Sequence, residues 1–184
     1  MTTMTNTTLA APPQVAVVDE NQIAWYAVRV KSRFEFAVSR TLSDKGYEEF
    51  LPLCESRRVW SDRVKRIEMP IFPGYLFCRF RVSEMVGILN APGVVHVVSA
   101  GKRPLAVDDE EIACVQAMCR SGVMVEPWAY LNVGDRCMVE RGPLAGTEGF
   151  IVALKGAYRL VVSISLLQRA VAAEIDRDCV RRAA

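Results

Sequence analysis

Residue types able to carry catalysis are few and badly placed for it. The single histidine, His96, lies inside the valine-rich run Val94 to Val98, where a strand residue is more often structural than chemical. Asp108, Asp109, Glu110 and Glu111 are four successive acids. They stand where a helix start favours negative charge, so capping accounts for them without acid–base work. Six cysteines, at 54, 78, 114, 119, 137 and 179, show no C-x-x-C spacing and fall mostly in apolar segments, as buried reduced thiols do. No G-x-S-x-G, P-loop or paired metal ligands occur. The expectation is no enzyme, no catalytic residue, no cofactor and no metal.

The chemistry that remains is that of binding. Arg57 to Arg66 places five basic residues and one acid in ten positions, with Trp60 in their midst. Cations interleaved with an aromatic suit a phosphate backbone and a stacked base; a solvated hairpin whose arginines keep an edge from aggregating has the same composition. Phe72-Pro73-Gly74-Tyr75-Leu76-Phe77 is the second candidate. Pro73 and Gly74 suit a tight turn, after which period two sends Tyr75, Phe77 and Arg79 to one face and Leu76, Cys78 and Phe80 to the other. The second set suits a core. The first suits either a partly exposed surface or a packing position under a helix.

The elements that must position these residues follow in order. Trp25 to Val30 has the composition of a strand. Ser32 and Glu35 have capping-box spacing ahead of a helix carrying Phe34, Ala37, Val38, Thr41 and Leu42, which stops at Gly46. Arg33 and Arg40 fall off that stripe and face solvent. Tyr47 to Leu53 forms a strand broken by Pro52. The basic hairpin and the strand Tyr75 to Phe80 come next, then a short helix from Ser83 to Asn90 and a strand from Val94 to Val98. A helix capped by Asp108 and Glu111 carries Ile112, Val115 and Cys119 and ends before Gly122. The order specifies an α+β domain with helices on one side of a largely antiparallel sheet. Around Pro127 and Trp128 the periodicity lapses. Beyond it, glycines punctuate about five short alternating strands, the pattern of a small β-barrel. The expected divisions are a disordered tail over residues 1–22, the α+β domain over 23–121, a linker over 122–131 and the barrel over 132–184.

The whole chain sets bounds. Its 184 residues, 51% hydrophobic and 24% charged, suffice for one sizeable core or two small ones. A net charge of +2 leaves any nucleic-acid role to local clustering of cations. No run is long enough to span a membrane, and the threonine-rich start lacks the basic opening and apolar block of a secretory signal, so a cytoplasmic protein is expected.

In this setting the chain resembles the NusG family of transcription elongation factors over nearly all of residues 25–184. Trp25-Tyr26-Ala27-Val28, Phe72-Pro73-Gly74-Tyr75 and Pro92-Gly93-Val94-Val95 resemble its N-terminal NGN domain. Val133-Gly134-Asp135, Gly142-Pro143-Leu144-Ala145-Gly146 and Gly149 resemble its KOW motif. The resemblance implies that Phe72, Pro73, Tyr75 and Phe77 line an apolar pocket for the clamp helices of the largest RNA polymerase subunit. It also makes Lys31, Arg33 and Arg40 the candidates to face upstream and non-template DNA, beside Arg57, Arg58, Arg63 and Arg66, which the hairpin's composition offers for nucleic acid. Aligned through Ser163, Ser165, Arg169 and Glu174, the barrel's contact for a small-subunit ribosomal protein or Rho falls on Leu167, where the family has an aromatic. Leu144 replaces the usual Phe, and Gln168 a Gly. These departures look more like the specialised RfaH and UpxY type of paralogue, which serve selected operons. Val, Ile and Gly usage favours strands throughout the barrel, so refolding into helices is not expected. Family members usually act as monomers. The alternative class is a ribosome-associated or RNA-binding KOW protein; the dispersed placement of Arg136, Arg141, Lys155, Arg159 and Arg169 disfavours it.

Overall fold

The structure, a computed structural model, describes residues 21–60, 63–128, 135–154 and 157–182. The expected tail up to residue 20 lies outside that set. So do the side chains of residues 56–66, Trp60 and the four hairpin arginines among them.

The N-terminal sheet is built on β1 (Ala24–Val30), whose β-branched and aromatic residues are buried along nearly the whole strand. It pairs antiparallel with β5 (Tyr75–Phe80) from Ala24 opposite Phe80 to Arg29 opposite Tyr75. On its other side lies β6 (Val94–Val97), with a register shift between Arg29 and Val30. The order is β2-β5-β1-β6, where β2 is Glu48–Phe50, and β9 (Ala106–Val107) also pairs with β1. Between β6 and β9 the chain forms a two-residue pair, β7 (Ser99–Ala100) with β8 (Arg103–Pro104). The basic hairpin is present as backbone: β3 (Leu53–Trp60) and β4 (Arg63–Pro70) pair from Leu53 opposite Pro70 to Trp60 opposite Arg63.

Helices cover both faces of the sheet, which corrects the one-sided arrangement expected from the element order. α1 (Glu35–Asp44) and α2 (Met85–Leu89) bury Val38, Leu42 and Ile88 against Tyr26, Val28, Leu76, Cys78 and Phe80. α3 (Asp109–Arg120) buries Ile112, Val115 and Met118 against the opposite face, with Trp25, Ala27, Phe72 and Phe77. Period two in β1 and β5 makes both faces apolar, so both need a cover.

The expected caps differ in detail. Phe34, not Ser32, is the N-cap of α1, and it makes no side-chain capping bond. Ahead of α2 a 3-10 turn over Val82–Glu84 intervenes, and the Glu84 carboxylate accepts from the Arg81 N–H at 3.0 Å. Asp108 does cap α3, accepting from the Glu110 N–H at 2.8 Å.

The C-terminal sheet is antiparallel and six-stranded, in the order β10-β14-β13-β12-β11-β15. Its strands are β10 (Val125–Trp128), β11 (Asp135–Val139), β12 (Glu148–Leu154), β13 (Ala157–Ile164), β14 (Arg169–Ile175) and β15 (Val180–Arg182). β10 falls inside the stretch expected to be a linker. It pairs with β14 from Val125 opposite Ala173 to Trp128 opposite Ala170. Pro127 has no N–H to donate, and an edge strand is where a sheet tolerates that loss.

Candidate functional site

The turn from Phe72 to Tyr75 is fixed from several directions. The Tyr75 N–H donates to the Phe72 carbonyl at 3.0 Å, and the Val30 N–H donates to the Gly74 carbonyl at 2.9 Å. The Gly74 N–H donates to Glu35 Oε1 at 2.9 Å. Gly74 has φ +80, a backbone conformation that favours glycine, and a Cβ there would also displace the Arg29 guanidinium. Glu35 is 5% exposed: its carboxylate serves this buried N–H of the turn, and for that reason it does not close a capping box with Ser32.

Beyond the turn, the aromatics divide. Phe72 and Phe77 are 1% and 0% exposed, with ring centroids 6.0 Å apart in an edge arrangement, and Phe50 lies 6.2 Å from Phe77. The alternation expected in β5 holds, but Phe77 is buried in an apolar cluster shared with α3 and the C-terminal sheet and is not on an open surface. Tyr75 is half-buried between two guanidinium groups, Arg29 at 4.7 Å and Arg169 at 5.0 Å from its ring centre.

Arg169 belongs to β14, so the second contact joins the two sheets. Its Nη1 also donates to the Pro73 carbonyl at 3.4 Å. A second tie lies at α3, where both carboxylate oxygens of Glu111 accept from the Ser165 N–H at 3.1 Å. Burial raises the Glu111 pKa above the ordinary value of 4.5, and the bonds from Ser165 pull the other way. Glu111 therefore does not close the cap of its own helix; the half-buried Ser165 N–H, distant in sequence, takes its carboxylate instead. Around these ties the apolar cluster is continuous: Trp25, Phe72, Phe77, Ile112 and Val115 share it with Leu160, Val162, Ile164 and Val171 of the C-terminal sheet. Leu167, in a 3-10 turn over Ser165–Leu167, is half-buried and packs on the same cluster. Gln168 after it takes the left-handed backbone at φ 50, where a glycine is at ease. Leu144, which stands where the KOW resemblance has a Phe, is 3% exposed and buried in the same cluster.

Two clefts border this interface. One of about 360 Å³ lies between α3 and the C-terminal sheet, lined by Glu110, Glu111, Cys114, Arg136, Glu148 and Ser163 among others. One of about 500 Å³ lies at the hairpin root, lined by Cys54, Cys119, Leu53 and Met124 among others. Neither is lined by Phe72, Pro73, Tyr75 or Phe77. Burial raises the thiols of Cys54, Cys114 and Cys119 and pushes Cys78 up to about 12, which disfavours the thiolate at these four positions. Among the described residues no group of three or more His, Cys, Asp or Glu could hold a metal ion, and no helix is long and apolar enough to cross a membrane.

Lys31, Arg33 and Arg40 are all exposed, around the start and outer side of α1. α1, which carries Arg40 and directly follows Lys31 and Arg33, packs on the sheet face opposite the C-terminal sheet. Phe34 and Phe36, beside them, are 44% and 48% exposed. Phe34, which its spacing assigns to the apolar stripe, is exposed instead.

Fold and site together define an α+β protein whose N-terminal and C-terminal sheets share one apolar cluster. The chain belongs to the NusG family: residues 23–116, just over half its length, match the family model described as transcription termination factor nusG. Among curated relatives, the transcription termination/antitermination protein NusG of Escherichia coli K12 is 25% identical over 173 residues, spanning 86% of this chain and 96% of that protein. That of Borreliella burgdorferi is 23% identical over 175 residues, spanning 83% and 95%. A solved structure described as domain interaction in Thermotoga maritima NusG aligns with a TM-score of 0.54 at 20% identity, covering 90% of this chain and all of that one. The architecture is thus an NGN-like sheet with flanking helices followed by a KOW-like antiparallel sheet.

Proposed function

We propose that this protein is a cytoplasmic, monomeric transcription elongation or antitermination factor. It binds the clamp helices of the largest RNA polymerase subunit through the Phe72–Phe77 face and meets upstream and non-template DNA with Lys31, Arg33, Arg40 and the hairpin cations. Bridging the clamp across the DNA channel holds the polymerase closed and suppresses pausing or termination, at selected operons. The effect is a shift of population by binding, with no bond made or broken. The observation that supports this most strongly is that the family match over residues 23–116 contains the whole Phe72–Phe77 run, the basic hairpin and all three α1 cations.

The closed arrangement adds a condition. Phe72 and Phe77 are buried and Tyr75 is held by Arg169, so clamp docking requires the C-terminal sheet to leave this face. Leaving would also free Leu167 for a ribosomal protein or Rho. The experiment is affinity purification of the tagged full chain from its own cells. RNA polymerase in the eluate is the expected result; ribosomes without polymerase would replace this reading by the RNA-binding KOW alternative.

A further inference from the structure

We propose that Arg29 and Arg169 form a site for a small anion carrying a pyrophosphate group, held in the seam between the two sheets and bound only while the C-terminal sheet is docked. The site belongs to the docked arrangement whether or not polymerase uses the face beneath it.

Across the N-terminal sheet, Tyr75, Arg29 and His96 stand in one row on β5, β1 and β6, each directly opposite the next. Opposed residues of antiparallel strands point to the same face, here the one on which Tyr75 packs against the cluster shared with the C-terminal sheet. Arg169 arrives from β14. Its guanidinium carbon lies 5.0 Å from the Tyr75 ring centre, and that of Arg29 lies 4.7 Å from the same point. Each head donates to one carbonyl of a single turn, Arg29 to Gly74 and Arg169 to Pro73, both at 3.4 Å. A guanidinium is a planar fork of N–H donors, so one carbonyl apiece leaves most of them unused.

Two cations drawn to one ring repel each other, and the protein supplies no charge to offset them. Among the described residues neither head meets a carboxylate within ion-pair distance. Glu35, the acid at this turn, is spent on the Gly74 N–H. Both arginines are half-buried, where an unneutralised cation is costlier than in open water. His96, exposed at the end of the row, offers an imidazole able to donate a further bond. The chemistry that answers this arrangement is a multiply charged anion. Guanidinium forks grip phosphate oxygens in pairs, and two forks around one ring match two adjacent phosphates better than one. That selects a pyrophosphate group, free or on a nucleoside diphosphate. Because one arginine comes from each sheet, an anion that bridges them binds the docked form alone and stabilises docking by mass action.

The test is isothermal titration calorimetry of the full chain with inorganic pyrophosphate, ADP and inorganic phosphate, at constant ionic strength and without divalent cations. Pyrophosphate is expected to fill one site at least about tenfold more tightly than phosphate. Arg29→Gln and Arg169→Gln should each weaken it by about tenfold or more. Arg40→Gln, which removes an exposed cation of α1 on the other side of the sheet, should leave it unchanged. Should Arg29→Gln fail to fold, Arg169→Gln decides alone. Hydrogen exchange supplies a second readout: pyrophosphate should slow exchange of the Ser165 N–H, which Glu111 holds across the seam, and should not do so in Arg169→Gln. ADP binding at least as tightly as pyrophosphate assigns the site to nucleotides, and weaker binding of ADP assigns it to the free anion. Phosphate binding as tightly as pyrophosphate, or equal losses in all three variants, overturns the site. Binding that leaves Ser165 exchange unchanged overturns its dependence on docking, and displacement of pyrophosphate by a DNA strand of about 12 nucleotides at equal phosphate concentration overturns the assignment to a small anion.

Discussion

Phe77 and Tyr75 stand two residues apart on one face of β5, yet they do different work. Phe77 is fully buried among Phe50, Phe72 and the α3 residues, so Phe77→Ala should cost about 3–5 kcal/mol of stability. Tyr75 is half-buried and held by two guanidinium contacts worth about 0.5–1 kcal/mol each, so Tyr75→Ala should cost much less. Denaturant unfolding of the two variants checks this; equal losses would contradict the division. Period two was enough to place both residues on one face from sequence. It could not show what covers that face, because α3 and the C-terminal sheet come from thirty or more residues further along the chain. Glu35 and Glu111 were misassigned for a related reason. Their spacings satisfy local capping rules, but each carboxylate was claimed by a backbone N–H distant in sequence.

At the scale of elements, the hairpin was the most legible feature. Alternating residues around a polar turn specify paired strands, and β3 and β4 pair along their full length. Charge reversal at Arg57, Arg58, Arg63 and Arg66 should weaken binding to the transcription elongation complex and flatten its dependence on salt, while binding to isolated clamp helices survives. Titration of both targets at two salt concentrations is the check; equal loss on both would make the hairpin purely structural. β10 was the least legible element. Pro127 breaks the donor pattern that marks a strand, and only the partner β14 shows that an edge position makes the loss harmless.

At the scale of the molecule, the chain folds as two sheets that share one apolar cluster, tied by Arg169 to the Phe72–Tyr75 turn and by Glu111 to Ser165. The proposed polymerase-binding face lies inside that closure. Apparent affinity for polymerase is then the intrinsic affinity reduced by the fraction of molecules that are open. Arg169→Ala removes a cation–π contact to Tyr75 and a charged hydrogen bond to Pro73 that exist only in the closed state, and leaves every residue assigned to the clamp unsubstituted. The decisive measurement is the dissociation constant of the full chain for RNA polymerase, wild type against Arg169→Ala. A variant that binds about tenfold more tightly, corresponding to ~1.4 kcal/mol of lost closure, is the predicted result. Unchanged or weaker binding by a folded variant would contradict the account, because the face closed by the C-terminal sheet would not be the one that polymerase uses.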